Sequence, residues 1–262
     1  MVYLQKMKDQ YLITLGRSID KNSLPDRFIM MSDSGPHPLC LIAAEDLQIH
    51  LKTQTEWVHN FGLSDDTKRV IIGKMFGVLV VKTQKKEIGY LAAFSGKLAG
   101  GNLHSKFVPP VFDGLTKDSF LNNGMMELKR INLKINELKE IKSKENEEQI
   151  NFLKTLRREH SASLQQQLFN HYHFVNKHRK EKSLNEIFKD ASYRNPPAGA
   201  GECAAPKLLQ YAFQHGMKPL AMSEFWWGQS PKSDIWKHGH FYPCCREKCE
   251  PILAHMLSGI DH

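Results

Sequence analysis

The sequence predicts an α+β protein, and three observations carry that reading. Residues 69 to 95 hold the densest β signal, a heptad-like helical seam fills the middle, and the chain ends in a Cys- and Trp-rich stretch. Three regions follow from them. Residues 1–118 form an N-terminal α+β region, 119–190 a helical hairpin, and 191–262 a compact α/β module with clustered cysteines.

The first regular element expected is a helix from Ala43, led in by His37 to Ile42 and ending near Lys52. Cys40 lies between Leu39 and Leu41 and reads as a small buried hydrophobe. Val70 to Val81, rich in Val, Ile and Phe, predicts a strand. The polar run Lys82 to Glu87 then turns the chain, and Ile88 to Phe94 returns as the second arm of a hairpin. The glycines at 96, 100 and 101 suggest a phosphate cradle only loosely. The P-loop spacing of Gly, four residues, Gly-Lys-Ser/Thr is absent, so they read as structural turns.

From Asn122 the pattern becomes helical. Leu128, Ile131, Ile135 and Leu138 step by three, four and three, and the polar run Ser143 to Glu148 interrupts them. Ile150, Leu153 and Leu156, then Leu164, Leu168 and Phe169, make the second arm. Joined near Lys144, the two arms bury both seams within one chain or pair two chains in a coiled-coil homodimer. Between Met125 and Lys182 there are 13 Lys or Arg against 8 Asp or Glu, and the surplus gathers between His171 and Lys180. There Lys177, Arg179 and Lys180 interleave with Tyr172 and Phe174. Cations for phosphate and rings for bases suit RNA; the alternative is a solvated helix end with ordinary core aromatics.

The C-terminal module reads as helix, strand, loop, helix. Pro206 fits a first helical turn, Gly216 a C-terminal stop, Pro219 to Trp227 a buried strand, and Cys245 to Leu257 a second helix. Four of the five cysteines lie here, at 203, 244, 245 and 249, beside His238 and His240. Thiolates and imidazoles are the ligands zinc prefers. Cys245 and Cys249, four residues apart, can point the same way. Cys203 supplies a third ligand and His240 or Cys244 a fourth. The alternative is that these cysteines are plain core.

Composition bounds the function. The net charge of +8 and pI near 9.1 favour polyanionic partners. No stretch approaches the ~20 apolar residues of a membrane-spanning helix, so no membrane partner is expected. The first twelve residues lack the apolar core of a signal peptide, and an odd number of crowded cysteines does not resemble a secreted disulfide framework. A reducing cytoplasm is the expectation.

The segments PHPLCLIAAEDLQ, IGYLAAFSGKL, FVPPVFD, LQQQLFNHYHFVN, KSLNEIF, PPAGAGECAAPKLLQYAF, EFWWGQSP and HGHFYPCCREKCEPIL together resemble the long N-terminal region of certain bacterial RluA-type RNA pseudouridine synthases. That resemblance implies an accessory region that binds and orients structured RNA, ribosomal or transfer, for a C-terminal isomerase domain. The family's Arg-Leu-Asp motif with its catalytic Asp is not found in these 262 residues. The chain is therefore expected to be a fragment or a free-standing accessory region, without uridine isomerisation of its own. A structural spacer dimerising through its hairpin is another reading.

The Cys-rich stretch is also similar to zinc nucleoside and nucleobase deaminases, which carry a Glu and a ligand at one helix start and two cysteines at another. This resemblance implies zinc, with Glu202 as proton carrier. The chain departs from that pattern in two places. Ala200 stands where a His or Cys ligand is usual, and Cys203 follows Glu202 directly. A fourth protein ligand would make the metal structural, whereas an open position beside Glu202 would make it catalytic.

Overall fold

In the computed structural model, residues 9–260 are described, apart from 18, 21–22, 32–34, 65–68, 117–118, 142 and 192–194. Most of the segment read for a signal peptide lies outside them. The elements in chain order are β1 (Ile29–Met30), α1 (Pro38–Thr53), β2 (Lys74–Lys82), β3 (Ile88–Phe94), α2 (Phe120–Lys139) and α3 (Lys144–His171). They continue with β4 (His173–Val175), β5 (Glu181–Ser183), α4 (Leu184–Asp190), α5 (Ala204–Gln214), β6 (Lys218–Trp227), β7 (Phe241–Tyr242) and α6 (Glu250–Met256). Helices and sheets of both kinds make this an α+β fold.

The main sheet runs β1-β6-β2-β3, with β7 on the outer half of β6. β2 is antiparallel to both β3 and β6, while β1 lies parallel to β6. Side chains alternate across the sheet. Phe76, Val78 and Val80 face α1 through Leu39, Ala43 and Leu47, whereas Leu79 and Val81 face Leu208, Leu209 and Ala212 of α5. Burial on both faces explains why β2 reads as an unbroken apolar run. Each such side chain contributes about 1.5–3 kcal/mol.

This topology corrects the threefold division. β6 belongs to the expected module 191–262, yet it lies between β1 and β2, both of which fall within residues 1–118. One sheet therefore unites the two regions. β2 also starts later than expected. Val70 and Ile72 are exposed, and the Ile72 N–H donates to the Asn60 carbonyl instead of a strand neighbour. The hairpin turn is as read: Thr83 and Glu87 close it, with Lys86 at φ 65°.

The helical hairpin forms, with Gly124 of α2 directly against Leu164 of α3. A Cβ there would sit 2.2 Å from Leu164 Cδ2, so only glycine admits α3. Ile131, Ile135, Leu164 and Phe169 are buried. Leu128, Leu138, Ile150, Leu153 and Leu168 are half-buried, and Leu156 is exposed and leaves the expected seam. Among the described residues, no helix is long and apolar enough to cross a membrane.

The basic stretch after α3 is a β-hairpin rather than a helix end. Asn176, buried, ties its turn: Oδ1 accepts the His178 and Lys180 N–H groups, and Nδ2 donates to Ser258 Oγ. The expected helix at Cys245 begins later, at Glu250, because residues 245–249 form a turn closed by the Cys249 N–H on the Cys245 carbonyl. α5 ends as read. Gly216 at φ 64° donates to the Phe213 carbonyl and Met217 to the Ala212 carbonyl, satisfying the last turn.

Candidate metal centre

Three thiols converge between the starts of α5 and α6. Cys203 is the residue before α5, and its side chain makes no capping hydrogen bond; its sulfur lies instead with those of Cys245 and Cys249. The sheet sets its position. A Cβ at Gly77 of β2 would lie 3.0 Å from both Ala204 Cβ and Leu208 Cδ1, so the missing side chain lets α5 seat directly on the strand. The Gly96 N–H donates to the Glu202 carbonyl at 2.9 Å and pins the preceding residue.

Cys245 and Cys249 come from the turn before α6, with sulfurs 3.4 Å apart. All three sulfurs, of Cys203, Cys245 and Cys249, lie within 4.8 Å of one another, close enough to hold a metal ion. Tetrahedral zinc with Zn–S bonds of ~2.3 Å places its sulfurs about 3.8 Å apart, inside this range. Without metal the three share charge unevenly. Hydrogen bonding with Cys203 and Cys249 pushes the Cys245 thiol well below its ordinary range. Cys203 is raised by its hydrogen bond with Cys245, and Cys249 by those with Cys203 and Cys245. A dication bound there would favour the thiolate form of all three.

The cluster opens onto a cavity of about 500 Å³. Lys74, Glu202, Glu224, Trp226 and Trp236 line it with the thiols. The indoles of Trp226 and Trp236 stack at 5.4 Å with an interplanar angle of 22°. Glu202 Oε1 accepts the Tyr172 hydroxyl at 3.3 Å, and burial lowers the Lys74 ammonium pKa while the Glu202 charge partly restores it. Behind this wall lies a buried cation. Lys207 Nζ donates to the Phe94 carbonyl at 2.9 Å and the Gly96 carbonyl at 3.3 Å, and desolvation brings it down to about 8. Glu224, on β6, is buried, accepts the Ala205 N–H at 3.1 Å, and is pushed up to about 7 by burial.

Comparison with protein-family models, curated proteins and solved structures finds no match.

The site residues read from sequence divide cleanly. Cys203, Cys245 and Cys249 meet, and Glu202 faces the same cavity. His240 and Cys244 do not join them. His240 is exposed, and its carbonyl accepts the Trp226 N–H in the ladder that β7 extends. Cys244 packs half-buried against the α5–α6 core, where burial raises it to about 11. His238 accepts the Gly228 N–H through Nδ1 and stands edge-on to Trp227, holding the loop instead. Cys40 is fully buried, as read.

Tyr172 and Phe174 are not available as base-stacking platforms. Both are buried and stack on each other, 6.1 Å between centroids, beneath Gly201 and the α5 entry loop. Lys177, Arg179 and Lys180 are exposed, but the turn splits them: Lys177 and Arg179 line one cavity and Lys180 another. Sequence reasoning missed Glu224, Lys74 and Lys207 as site residues. Glu224 carried a signal, being a carboxylate inside an apolar strand, where burial demands a partner.

Proposed function

We propose that the chain carries a zinc centre of the hydrolytic, deaminase type, acting on an amino-bearing nucleobase. One observation carries this reading. Three converging thiols face a cavity, and among the described residues no fourth ligand group closes the cluster. A structural zinc site fills four protein positions, whereas a catalytic one keeps a position open. Zinc bound there supplies Lewis acidity at the cavity wall. Trp226 and Trp236 offer flat surfaces for a planar base, and the carboxylates of Glu202 and Glu224 stand in the same cavity to carry protons. Hydrolytic deamination consumes one water, whose oxygen replaces the exocyclic amine, and releases that amine as ammonia.

The test has two readouts. Protein purified without a histidine tag should contain about one zinc per chain, and Cys249→Ser should lose it. Ammonia release should then be followed with cytidine, adenosine and guanosine nucleotides and with single-stranded RNA. Zinc well below one equivalent sinks the centre. Full zinc with no ammonia from any substrate leaves a metal site without this chemistry.

A second reading, the accessory RNA-orienting region of an RluA-type pseudouridine synthase acting in the cytoplasm, draws on the exposed turn bearing Lys177, Arg179 and Lys180. Among the described residues none of the three makes an ion pair with a carboxylate. RNA affinity should fall steeply with salt, and replacing all three with Ala should flatten that slope. Unchanged binding by the triple variant removes the turn from the interface.

A further inference from the structure

A second cavity lies at the opposite end of β6 from the metal centre. Pro219 borders one site and Trp226 the other, which is roughly 23 Å along the strand at ~3.3 Å per residue. The volume of this second cavity is about 430 Å³, within the ~300–1,000 Å³ range of small-ligand sites. Three cations reach it from two separate elements: Lys177 and Arg179 from the β4–β5 turn, and Lys218 from the first position of β6. Its inner wall is apolar, with Phe28, Phe213 and Met217. Among the described residues of the lining, Asp26 is the single carboxylate against the three cations.

We infer that this cavity binds a phosphate ester carrying a flat or apolar group, such as a mononucleotide or the end of an RNA strand. Neither the metal centre nor an isomerase domain is needed for it. The cations are held in place without being neutralised. Lys177 Nζ donates to the Gly259 carbonyl at 3.3 Å and Arg179 Nη2 to the Gln214 carbonyl at 3.4 Å. Both bonds use neutral acceptors, so the positive charge remains for a ligand. Among the described residues, none of the three cations makes an ion pair. The turn itself is braced by buried Asn176, bonded to the Ser258 hydroxyl of the C-terminal segment. Preorganised cations above an apolar wall fit a ligand that is anionic at one end and apolar at the other.

Arg179 makes the test unusually clean. Its φ of 58° lies in the left-handed region that favours glycine, so Arg179→Gly removes the charge while relieving the backbone. Calorimetry should compare uridine 5′-monophosphate, inorganic phosphate, uridine and a 5′-phosphorylated oligouridine, each at low and high salt. The expected result is saturable one-to-one binding of the monophosphate, weaker phosphate, no uridine binding, and loss of affinity with salt. Arg179→Gly combined with Lys218→Gln should weaken binding at least tenfold with the melting temperature unchanged or raised. The oligouridine arm identifies the source: much tighter binding than the monophosphate points to RNA, and equal or weaker binding to a free nucleotide. Either supports the site. No saturable binding of any phosphate-bearing probe overturns it, as does unchanged affinity in the double variant. Loss of binding on adding a chelator also overturns it, because the ligand then sits at the thiol cluster. Zinc content, read on the same samples, reports separately on the metal centre.

Discussion

Glu224 on β6 accepts the backbone N–H of Ala205 at 3.1 Å, so a strand carboxylate caps the helix whose first residue follows Cys203. α5 lacks a capping side chain of its own, because Cys203 makes no such bond. The sheet therefore supplies from a distance what Ser, Thr or Asp usually supplies locally. The helix N-terminus favours negative charge there, while burial opposes it. Glu224→Ala should cost about 1–3 kcal/mol by leaving a buried N–H unsatisfied. Glu224→Gln keeps an acceptor and should cost less. Urea denaturation of metal-free protein, with both variants beside wild type, measures the difference. Equal losses for Ala and Gln would mean that the hydrogen bond is not what the carboxylate contributes.

How much of this was legible in the sequence depends on range. The β2–β3 hairpin, α1, the end of α5 and the α2–α3 pair follow from local periodicity and turn chemistry, although α1 already starts at Pro38 rather than Ala43 and β2 only at Lys74 rather than Val70. Leu156 and Val70 mislead because apolar character does not reveal which face a helix or loop turns inward. The pairing of β6 joins Ala221 to Ile29, 192 positions away, and Trp227 to Lys74, 153 positions away, and no local pattern encodes it. Cys203, Cys245 and Cys249 were readable as zinc-type ligands from residue chemistry alone. His240 was not excluded, because only the β6–β7 pairing shows its backbone committed and its ring exposed. Tyr172 and Phe174 misled in the opposite direction. An aromatic beside a lysine looks like a nucleic-acid platform until the fold shows the ring inside.

Ile135 and Phe152 separate the buried seam of the hairpin from its surface. Ile135 is 3% exposed and Phe152 is 68% exposed. Ile135→Asp buries an unpaired charge between α2 and α3 and should destabilise by more than about 2 kcal/mol. Phe152→Asp should stay within about 0.5 kcal/mol. Thermal melts check both, and light scattering on the same samples reads association. If Phe152→Asp turns a dimer into a monomer, the exposed face of α3 is an interface between copies.

His50 gives the fold a pH dependence away from the thiols. Its Nε2 is buried without a hydrogen-bond partner, and its ring lies 6.2 Å from that of Phe107. Burial, with Lys106 nearby, holds its pKa below the usual 6.5. A base whose folded pKa is depressed binds its proton more readily when unfolded. Stability is therefore intact above pH 6.5 and declines as pH falls from there through the lower folded value. His50→Leu should flatten that decline while leaving stability near pH 8 within about 1.5 kcal/mol. Denaturation midpoints between pH 5 and 8 decide it. A variant that declines as steeply as wild type assigns the effect to other groups.

Gly77 is where the sheet sets the geometry of the thiol cluster. Its missing side chain leaves room for Ala204 and Leu208, and a Cβ would stand 3.0 Å from each. Both neighbours are fully buried, so neither has open space to move into. Gly77→Val adds branched bulk under the first turn of α5 and pushes the helix start away from β2. The cost should be about 1–3 kcal/mol from overpacking. The larger consequence falls on Cys203, one residue before Ala204. A shift of about 1 Å moves its sulfur away from Cys245 and Cys249 while all three thiols remain in the chain, and metal sites hold their ligand distances to within about 0.2 Å. Zinc affinity should therefore drop at least tenfold in a variant that still folds. A control, Gly16→Ala, where the backbone is not in the left-handed region and a Cβ meets only Asp46 Oδ1 at 3.8 Å, should leave zinc affinity untouched. Competition with a chromogenic chelator measures both. Wild-type affinity in folded Gly77→Val would show that the thiols are positioned by their own turn and not by the sheet.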